Sequence, residues 1–497
     1  MRSVVETSAG SIQGYHTGRC QFFGGIPYAA SPEGRLRFRP PEPPAPWTGV
    51  RAAVHPGPMQ PQNPTRFEPF LGPDPQPQSE DSLSLNVWTP GLAGGRRPVF
   101  VWIHGGAYVT GSGSFPLYDC SDLSARGDIV CVSINYRLGE RGYLYLGGMD
   151  DELALSGNTA LLDQIAALRW VHDNIEAFGG DPGRVTLAGQ SAGAGSITGL
   201  MAAKPAHGLF HRAIIQSIAY MSFRSPELAL EITERFLEES GASDPAALEA
   251  MPVPQLLAAQ RAVMRGRPAW KKSGFQPMVD GDLVARDLLD LAAAGELADV
   301  PVMVGTTRDE WNPFNFFLTP EQIPRDDAGV ALFFDDIDGR GEATLAFYRE
   351  RLPKTIDAEG VFCAALGDYR WWAPTLRFAE ALADKQPVYL YRFDWASPAL
   401  DGRLAAGHCV DLPFWFGNLA TPSTPYLLGA DDPPTALARA MQGACLSFVR
   451  GEEPGGEGLP QWPAHDSQTR AVMRLDIEPT VLNDPRPDAR RHRITAN

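Results

Sequence analysis

The stretch Val185-Thr186-Leu187-Ala188-Gly189-Gln190-Ser191-Ala192-Gly193 constrains this chain more than any other. Its first four residues are mostly β-branched or apolar and read as a buried strand, and from Ala192 onward the pattern turns helical. Two glycines between these elements permit a sharp, strained turn that pushes the Ser191 hydroxyl clear of the backbone at the sheet edge. The helix that follows presents unpaired N–H groups to any negative charge developing there. Gly-x-Ser-x-Gly alone recurs by chance, but a strand before it and a helix after it make it specific for a nucleophilic serine. A tight strand-to-helix turn with an incidental serine is the alternative reading.

Around this unit, short β-branched and aromatic runs alternate with helical patterns, which argues for an α/β architecture with a large, mostly parallel sheet flanked by helices. Val99–Ile103, Asp128–Ile134, Val185–Ala188, Ala213–Gln216, Val300–Val304 and Val388–Phe393 read as strands. Leu161 to Phe178 reads as an amphipathic helix with Leu161, Ile165, Leu168, Val171, Ile175 and Phe178 on one face, stopped by Gly179-Gly180. At about 150 residues per domain the length would give roughly three domains, yet large α/β enzymes build one long sheet. From Pro226 to about Met264, short helical patterns are broken by Gly241, Pro245, Pro252 and Pro254, and no Gly/Ser-rich linker sets them apart. The expectation is one domain over residues 1–497 with a cap-like helical insertion at about 226–265.

Charge and composition remove several function classes. A formal net charge of −16 repels phosphate-rich partners, so nucleic-acid binding is not expected. No apolar run approaches the roughly 18 residues that span a bilayer, and no basic amphipathic stretch offers a membrane-surface helix. The N-terminal MRSVVETSAGSIQG lacks the apolar core of a signal peptide, and no Asn-x-Ser/Thr acceptor remains once Asn63-Pro64-Thr65 is set aside. The six cysteines form no Cys-x-x-Cys pair and no zinc-ligand spacing, so they are expected to be idle or buried thiols. A cytoplasmic protein, monomer or small homo-oligomer, acting on a small molecule is the simplest expectation.

A serine hydroxyl is a poor nucleophile and needs a base, usually histidine, held by an acid. The strand–turn–serine–helix unit resembles that of the α/β-hydrolase fold, where the chain order runs serine, acid, histidine. His207, His211, His408, His465 and His492 lie beyond Ser191. His207 and His211 fall too close to follow an intervening acid, His465 reads as solvent-facing in a Pro-rich turn, and His492 sits in an Arg-rich tail read as disordered. His408, in the loop after the Val388–Phe393 strand, is the remaining candidate. For the acid, Glu310 and its neighbour Asp309 both follow the Val300–Val304 strand, and residue chemistry alone leaves them open. His104-Gly105-Gly106-Ala107 follows a buried strand as an oxyanion loop does, which makes the N–H groups of Gly105, Gly106 and Ala192 the candidate donors. A plain glycine turn is the alternative there, and His104 reads as structural. This chemistry requires no metal and no organic cofactor.

Nearly the whole chain resembles the type-B carboxylesterases, which include cholinesterases and bacterial para-nitrobenzyl esterases. Phe23-Gly24-Gly25-Ile26-Pro27-Tyr28-Ala29, Leu36-Arg37-Phe38-Arg39-Pro40-Pro41, Glu80-Asp81-Ser82-Leu83-Ser84-Leu85-Asn86-Val87, Asn135-Tyr136-Arg137 and Ala177-Phe178-Gly179-Gly180-Asp181-Pro182 are similar to its signatures. The resemblance implies a serine carboxylesterase with Ser191, Glu310 and His408 as its triad, and it selects Glu310 over Asp309. It further implies internal ion pairs of Arg37 with Glu80 and of Arg137 with Asp163. The departures carry information. Ser82 and Gln60 stand where the family has the two cysteines of a loop disulfide, and Gln190 and Asp411 stand where it usually has glutamates. The Pro61–Glu80 loop has no tryptophan, so choline esters are not expected as substrates. Trp311, following Glu310, points to a narrowed pocket. Trp311, Phe314, Trp371, Trp372 and Trp415 are read either as pocket walls or as core packing. Two rivals stay open: a non-catalytic adhesion protein on the same fold, and a hydrolase specialised for amides, carbamates or lactones.

Overall fold

The computed structural model describes residues 2–65, 67–72, 76–93, 95–219, 223–265, 274–318, 322–429 and 432–494. Its strands are β1 (Arg2–Thr7), β2 (Gly10–His16), β3 (Gln21–Pro27), β4 (Val50–Ala52), β5 (Ser84–Thr89), β6 (Arg97–Ile103) and β7 (Val130–Ile134), followed by β8 (Gly180–Gln190), β9 (Arg212–Gln216), β10 (Val302–Thr307), β11 (Val388–Phe393), β12 (Ala471–Leu475) and β13 (Thr480–Asn483). They form one sheet in the order β1-β2-β3-β5-β7-β6-β8-β9-β10-β11-β12-β13, with β4 beside β2. Every neighbour pair from β7 to β12 is parallel. β1, β2, β3 and β5 at one end and β13 at the other pair antiparallel along this order, while β4 runs parallel to β2.

β7, β10 and β11 are buried along their whole length and β8 from Val185 to Gln190, as a sheet covered by helices on both faces demands. Side chains alternate between the faces. Val99, Val101 and Ile103 of β6 join one core cluster, and Phe100 and Trp102 join the other. The expected strands are all present with small shifts at their ends. The long helix runs Thr159–Asn174, continues as a 3-10 turn to Phe178, and closes on Gly179 at φ 79°. Three helices, Pro226–Ser240, Pro245–Ala250 and Val253–Met264, occupy the Pro-punctuated stretch.

Two readings of histidines are corrected. His465 is not solvent-facing: it is 3% exposed, and its Nδ1 lies 3.1 Å from the Ala471 carbonyl beside β12. His492 is not in a disordered tail but on the helix Pro487–Ile494, with its ring stacked on Phe347 at 4.4 Å between centroids. In both cases a polar local sequence is overridden by tertiary packing.

The order of the strands places the site. The chain leaves β6 towards β7 on one side, returns past it to β8, and then proceeds through β9, β10 and β11 on the other. Neighbouring strands β6 and β8 therefore send their connections in opposite directions, and this opens a crevice at their carboxyl ends. Ile103 pairs with Gly189 at that point, so His104 and Ser191 leave the sheet side by side.

The implied ion pairs are present and buried. Arg37 Nη2 meets Glu80 Oε2 at 2.6 Å, and Arg137 Nη2 meets Asp163 Oδ1 at 2.6 Å. Arg37 also donates to the carbonyls of Leu248, Glu249 and Met251, which pins the inserted helices to the N-terminal region. At the two positions where the family resemblance would put a loop disulfide, Ser82 Oγ donates to Gln60 Oε1 at 2.6 Å. Replacing both residues with cysteine should close that loop covalently and raise stability by about 3 kcal/mol. Thermal unfolding with and without reductant checks this: the gain should vanish in dithiothreitol, and a double variant that oxidises without stabilisation contradicts it.

Candidate active site

The turn after β8 has no room for alternatives. A Cβ at Gly193 would lie 2.0 Å from the Ile103 carbonyl oxygen, so only glycine lets the following helix pack this close to β6. Ser191 occupies φ 57°, ψ −120°, a strained conformation for a residue with a side chain. The helix Ala192–Ala202 starts immediately after it, and the Ser191 N–H is tied to the Gln216 carbonyl at 2.8 Å. The hydroxyl is thereby held at the carboxyl edge of the sheet.

Glu310 and His408 reach that edge from the neighbouring strands. Glu310 follows β10, and one carboxylate oxygen accepts the Thr307 N–H at 2.8 Å. The other lies 2.6 Å from His408 Nδ1. The two side chains are 2% and 3% exposed, so the contact is shielded from water and strong for its length. Asp309 does not compete: its carboxylate pairs with Arg308 at 2.7 Å and accepts the Ala406 N–H. With Nδ1 engaged by Glu310, the other ring nitrogen, Nε2, has the Gln190 amide nitrogen 3.0 Å away. Ser191 and His408 line the same cleft, but among the described residues no hydrogen bond joins the serine hydroxyl to the ring. Such bonds are often long in unliganded sites.

The loop after β6 completes the rim. A Cβ at Gly105 would sit 3.2 Å from Ser191 Cβ, and Gly106 adopts φ 121° with the Thr110 carbonyl 1.9 Å from where a Cβ would be. Among the described residues, the N–H groups of Gly105, Gly106 and Ala192 donate to no backbone or side-chain acceptor. His104 turns away: its Nδ1 lies 2.7 Å from the Gly105 carbonyl and its ring stacks on Tyr136 at 4.5 Å. Burial pushes its pKa down to about 4, so it stays neutral as a structural prop.

The cleft holds about 120 Å³ and is walled by Phe67, Leu71, Val109, Tyr118 and Phe314 around Ser191 and His408. A carboxylate–imidazole pair beside a serine on a strained turn, under free N–H groups, is suited to acyl transfer. The model of the carboxylesterase family matches residues 1–491. The chain belongs to the carboxylesterase family. It is 37% identical to phenmedipham hydrolase of Pseudarthrobacter oxydans, with 96% of each chain covered. It is 35% identical to para-nitrobenzyl esterase of Bacillus subtilis over 98% of this chain and 97% of that one. A carboxylesterase of Geobacillus stearothermophilus superposes with a TM-score of 0.88 at 37% identity, covering 98% of this chain and 99% of that one. The protein is accordingly a carboxylic ester hydrolase with the α/β-hydrolase fold.

Only one of the five aromatic candidates lines this carboxylesterase's cleft. Phe314 does, whereas Trp311 is fully buried, donates to Asn315 Oδ1 at 2.7 Å and packs on Phe314 from behind. Trp311 thus supports a wall without narrowing the pocket itself. Trp371 stands 5.6 Å from the His408 ring, and Trp415 donates to Asp411. Phe67, Leu71, Val109 and Tyr118 come from loops and short helical turns whose path no local pattern discloses.

Asp411 is the unexpected titrating group of the esterase. It is fully buried, with Oδ2 accepting from Trp415 Nε1 at 3.1 Å and Oδ1 without a hydrogen-bond partner among the described residues. Burial, reinforced by the nearby Glu310 charge, raises its pKa to about 7. The unfolded carboxyl ionises near its ordinary 3.8, so between roughly pH 4 and pH 7 the folded protein binds more protons than the unfolded chain. Stability contributed by this group therefore falls as pH rises through that window. The Asp411→Asn variant should remove this slope, a relative gain on the order of 4 kcal/mol by neutral pH. Denaturant unfolding at a series of pH values measures it, and parallel curves for the two proteins rule out a proton held on Asp411.

Proposed function

We propose that this carboxylesterase works by two-step acyl transfer through Ser191, His408 and Glu310. His408 Nε2 takes the Ser191 proton as Oγ attacks the ester carbonyl. The N–H groups of Gly105, Gly106 and Ala192 receive the oxyanion. The alcohol leaves with the proton from His408, and water hydrolyses the acyl-enzyme by the same route. Glu310 holds the ring with Nε2 towards the cleft and stabilises its transient positive charge. The observation that carries the reading is the 2.6 Å contact between Glu310 and His408 Nδ1, at the mouth of a cleft that Ser191 shares.

The walls favour small, apolar, uncharged acyl or alcohol groups. Phenmedipham and para-nitrobenzyl esters, named for the two bacterial relatives, are candidate substrates for this chain. The same reading takes the chain as one α/β-hydrolase domain with the 226–265 helices as its insertion. All six cysteines are unpaired, which supports a reducing, cytoplasmic setting.

Hydrolysis of a para-nitrophenyl ester series by wild type and Ser191→Ala tests the assignment. The variant should lose at least about a thousandfold in kcat/KM while its unfolding midpoint stays near that of the wild type. A serine-reactive phosphonate should label the wild type stoichiometrically and leave the variant unlabelled. Substantial turnover by the folded variant would overturn the assignment of Ser191.

A further inference from the structure

The side chain of Gln190 ends β8 one residue before the nucleophile and is 1% exposed. Its amide nitrogen lies 3.0 Å from His408 Nε2 and 3.5 Å from Nδ1. An atom in line with the in-plane lone pair of Nε2 would be much farther from Nδ1 than from Nε2. Two nearly equal distances instead place the amide over the face of the imidazole. Gln190 therefore covers the ring without occupying the direction in which Nε2 exchanges a proton. Phe314 and Trp371 stand around the same ring with centroids 5.4 and 5.6 Å away. The imidazole is held between one amide and two aromatic walls.

From this packing we infer that Gln190 is a positioning and specificity-determining residue. As an uncharged plate on His408, it leaves Glu310 as the one carboxylate in contact with the ring and sets the cleft for esters that carry no positive charge. The inference rests on His408 serving as the base.

The groups facing the ring support it. Glu310 comes from the turn after β10, Cys409 and Asp411 come from the histidine's own loop, and Tyr391 of β11 lies against Asp411 and Glu310. Burial pushes the Cys409 thiol and the Tyr391 phenol far up, so neither carries charge near neutrality. Asp411 holds its proton until about pH 7. Arg370 lies over the outer rings of Trp311 and Trp371. Among the described residues, the walls of the cleft itself, from Thr65 round to Cys409, include no Asp, Glu, Lys or Arg. A carboxylate at position 190 would add a second anion on the imidazole and a formal charge to that wall. It would favour the protonated ring and attract a cationic substrate group.

The test is Gln190→Glu, an exchange of nearly identical shape, with Gln190→Met as a neutral control. The acid limb of kcat/KM should move up by roughly one pH unit in Gln190→Glu and stay in place in Gln190→Met. The Met variant should instead lose kcat with little change in KM, because the ring loses its polar plate. A quaternary-ammonium alkyl ester and its neutral tert-butyl isostere supply the second readout. Gln190→Glu should raise the cationic-to-neutral ratio of kcat/KM at least about tenfold, while wild type should favour the neutral ester. Superimposable pH profiles and an unchanged ratio overturn the inference. If Gln190→Glu fails to fold, a wild-type preference for the cationic ester overturns it on its own. Should Ser191→Ala be inactive while Gln190→Glu behaves as wild type, only the role of Gln190 falls. Turnover by Ser191→Ala instead removes the catalytic assignment beneath it.

Discussion

The turn at Ser191 is the constraint from which the rest of the site follows. A residue with a side chain at φ 57° is held there only because its surroundings allow nothing else. The surroundings in question are β6, whose Ile103 carbonyl fills the space a side chain at Gly193 would need, and β9, whose Gln216 carbonyl takes the serine's N–H. Both neighbours are fixed by the parallel register of the sheet, which also decides where the loops bearing Gly105, Glu310 and His408 emerge. The strain at one residue and the regularity of seven strands are thus a single arrangement, because the sheet holds the turn and the turn marks its reactive edge.

The sequence made the centre of this arrangement legible and its periphery opaque. Strands such as Val99–Ile103 stand out because burial on both faces leaves unbroken β-branched and aromatic runs. The apolar pattern marks Val300–Val304, whereas β10 runs Val302–Thr307, because its final threonines, Thr306 and Thr307, are polar yet enclosed. Motif and chain order point to Ser191 and His408, whereas only the family resemblance separates Glu310 from Asp309; the contact between Glu310 and His408 agrees with that choice. The wall residues Phe67, Leu71, Val109 and Tyr118 are not legible, since the loops and short helical turns that carry them approach the cleft along paths set by distant packing. His465 failed for a related reason: its polar neighbours face solvent while its own backbone N–H bonds the Val388 carbonyl of β11.

Charge is distributed in this protein by depth. The surface carries the acidic excess, and two buried arginines, Arg37 and Arg137, are neutralised by bidentate carboxylates and further tied to backbone carbonyls. Ion pairs of this kind contribute little net stability, but they are costly to break, and so they fix which segments lie together. Around His408 the opposite policy holds: an amide, the buried Asp411 carboxyl with its pKa raised to about 7, and aromatic rings stand about the Glu310 carboxylate. An environment this poor in charge lets a single ionised group dominate the imidazole.

Gln62 gives the unbridged loop an influence out of proportion to its size. Its side-chain amide accepts the Gly111 N–H at 2.7 Å and donates to the Gly111 carbonyl at 3.0 Å, copying with one side chain the paired bonds of a strand neighbour. Gly111 in turn lies directly beneath His104 and Gly105. A substitution in the Pro-rich segment is therefore felt at the backbone around Gly105. On the proposed mechanism, such a loop is a tuning screw for turnover that leaves Ser191, His408 and Glu310 untouched.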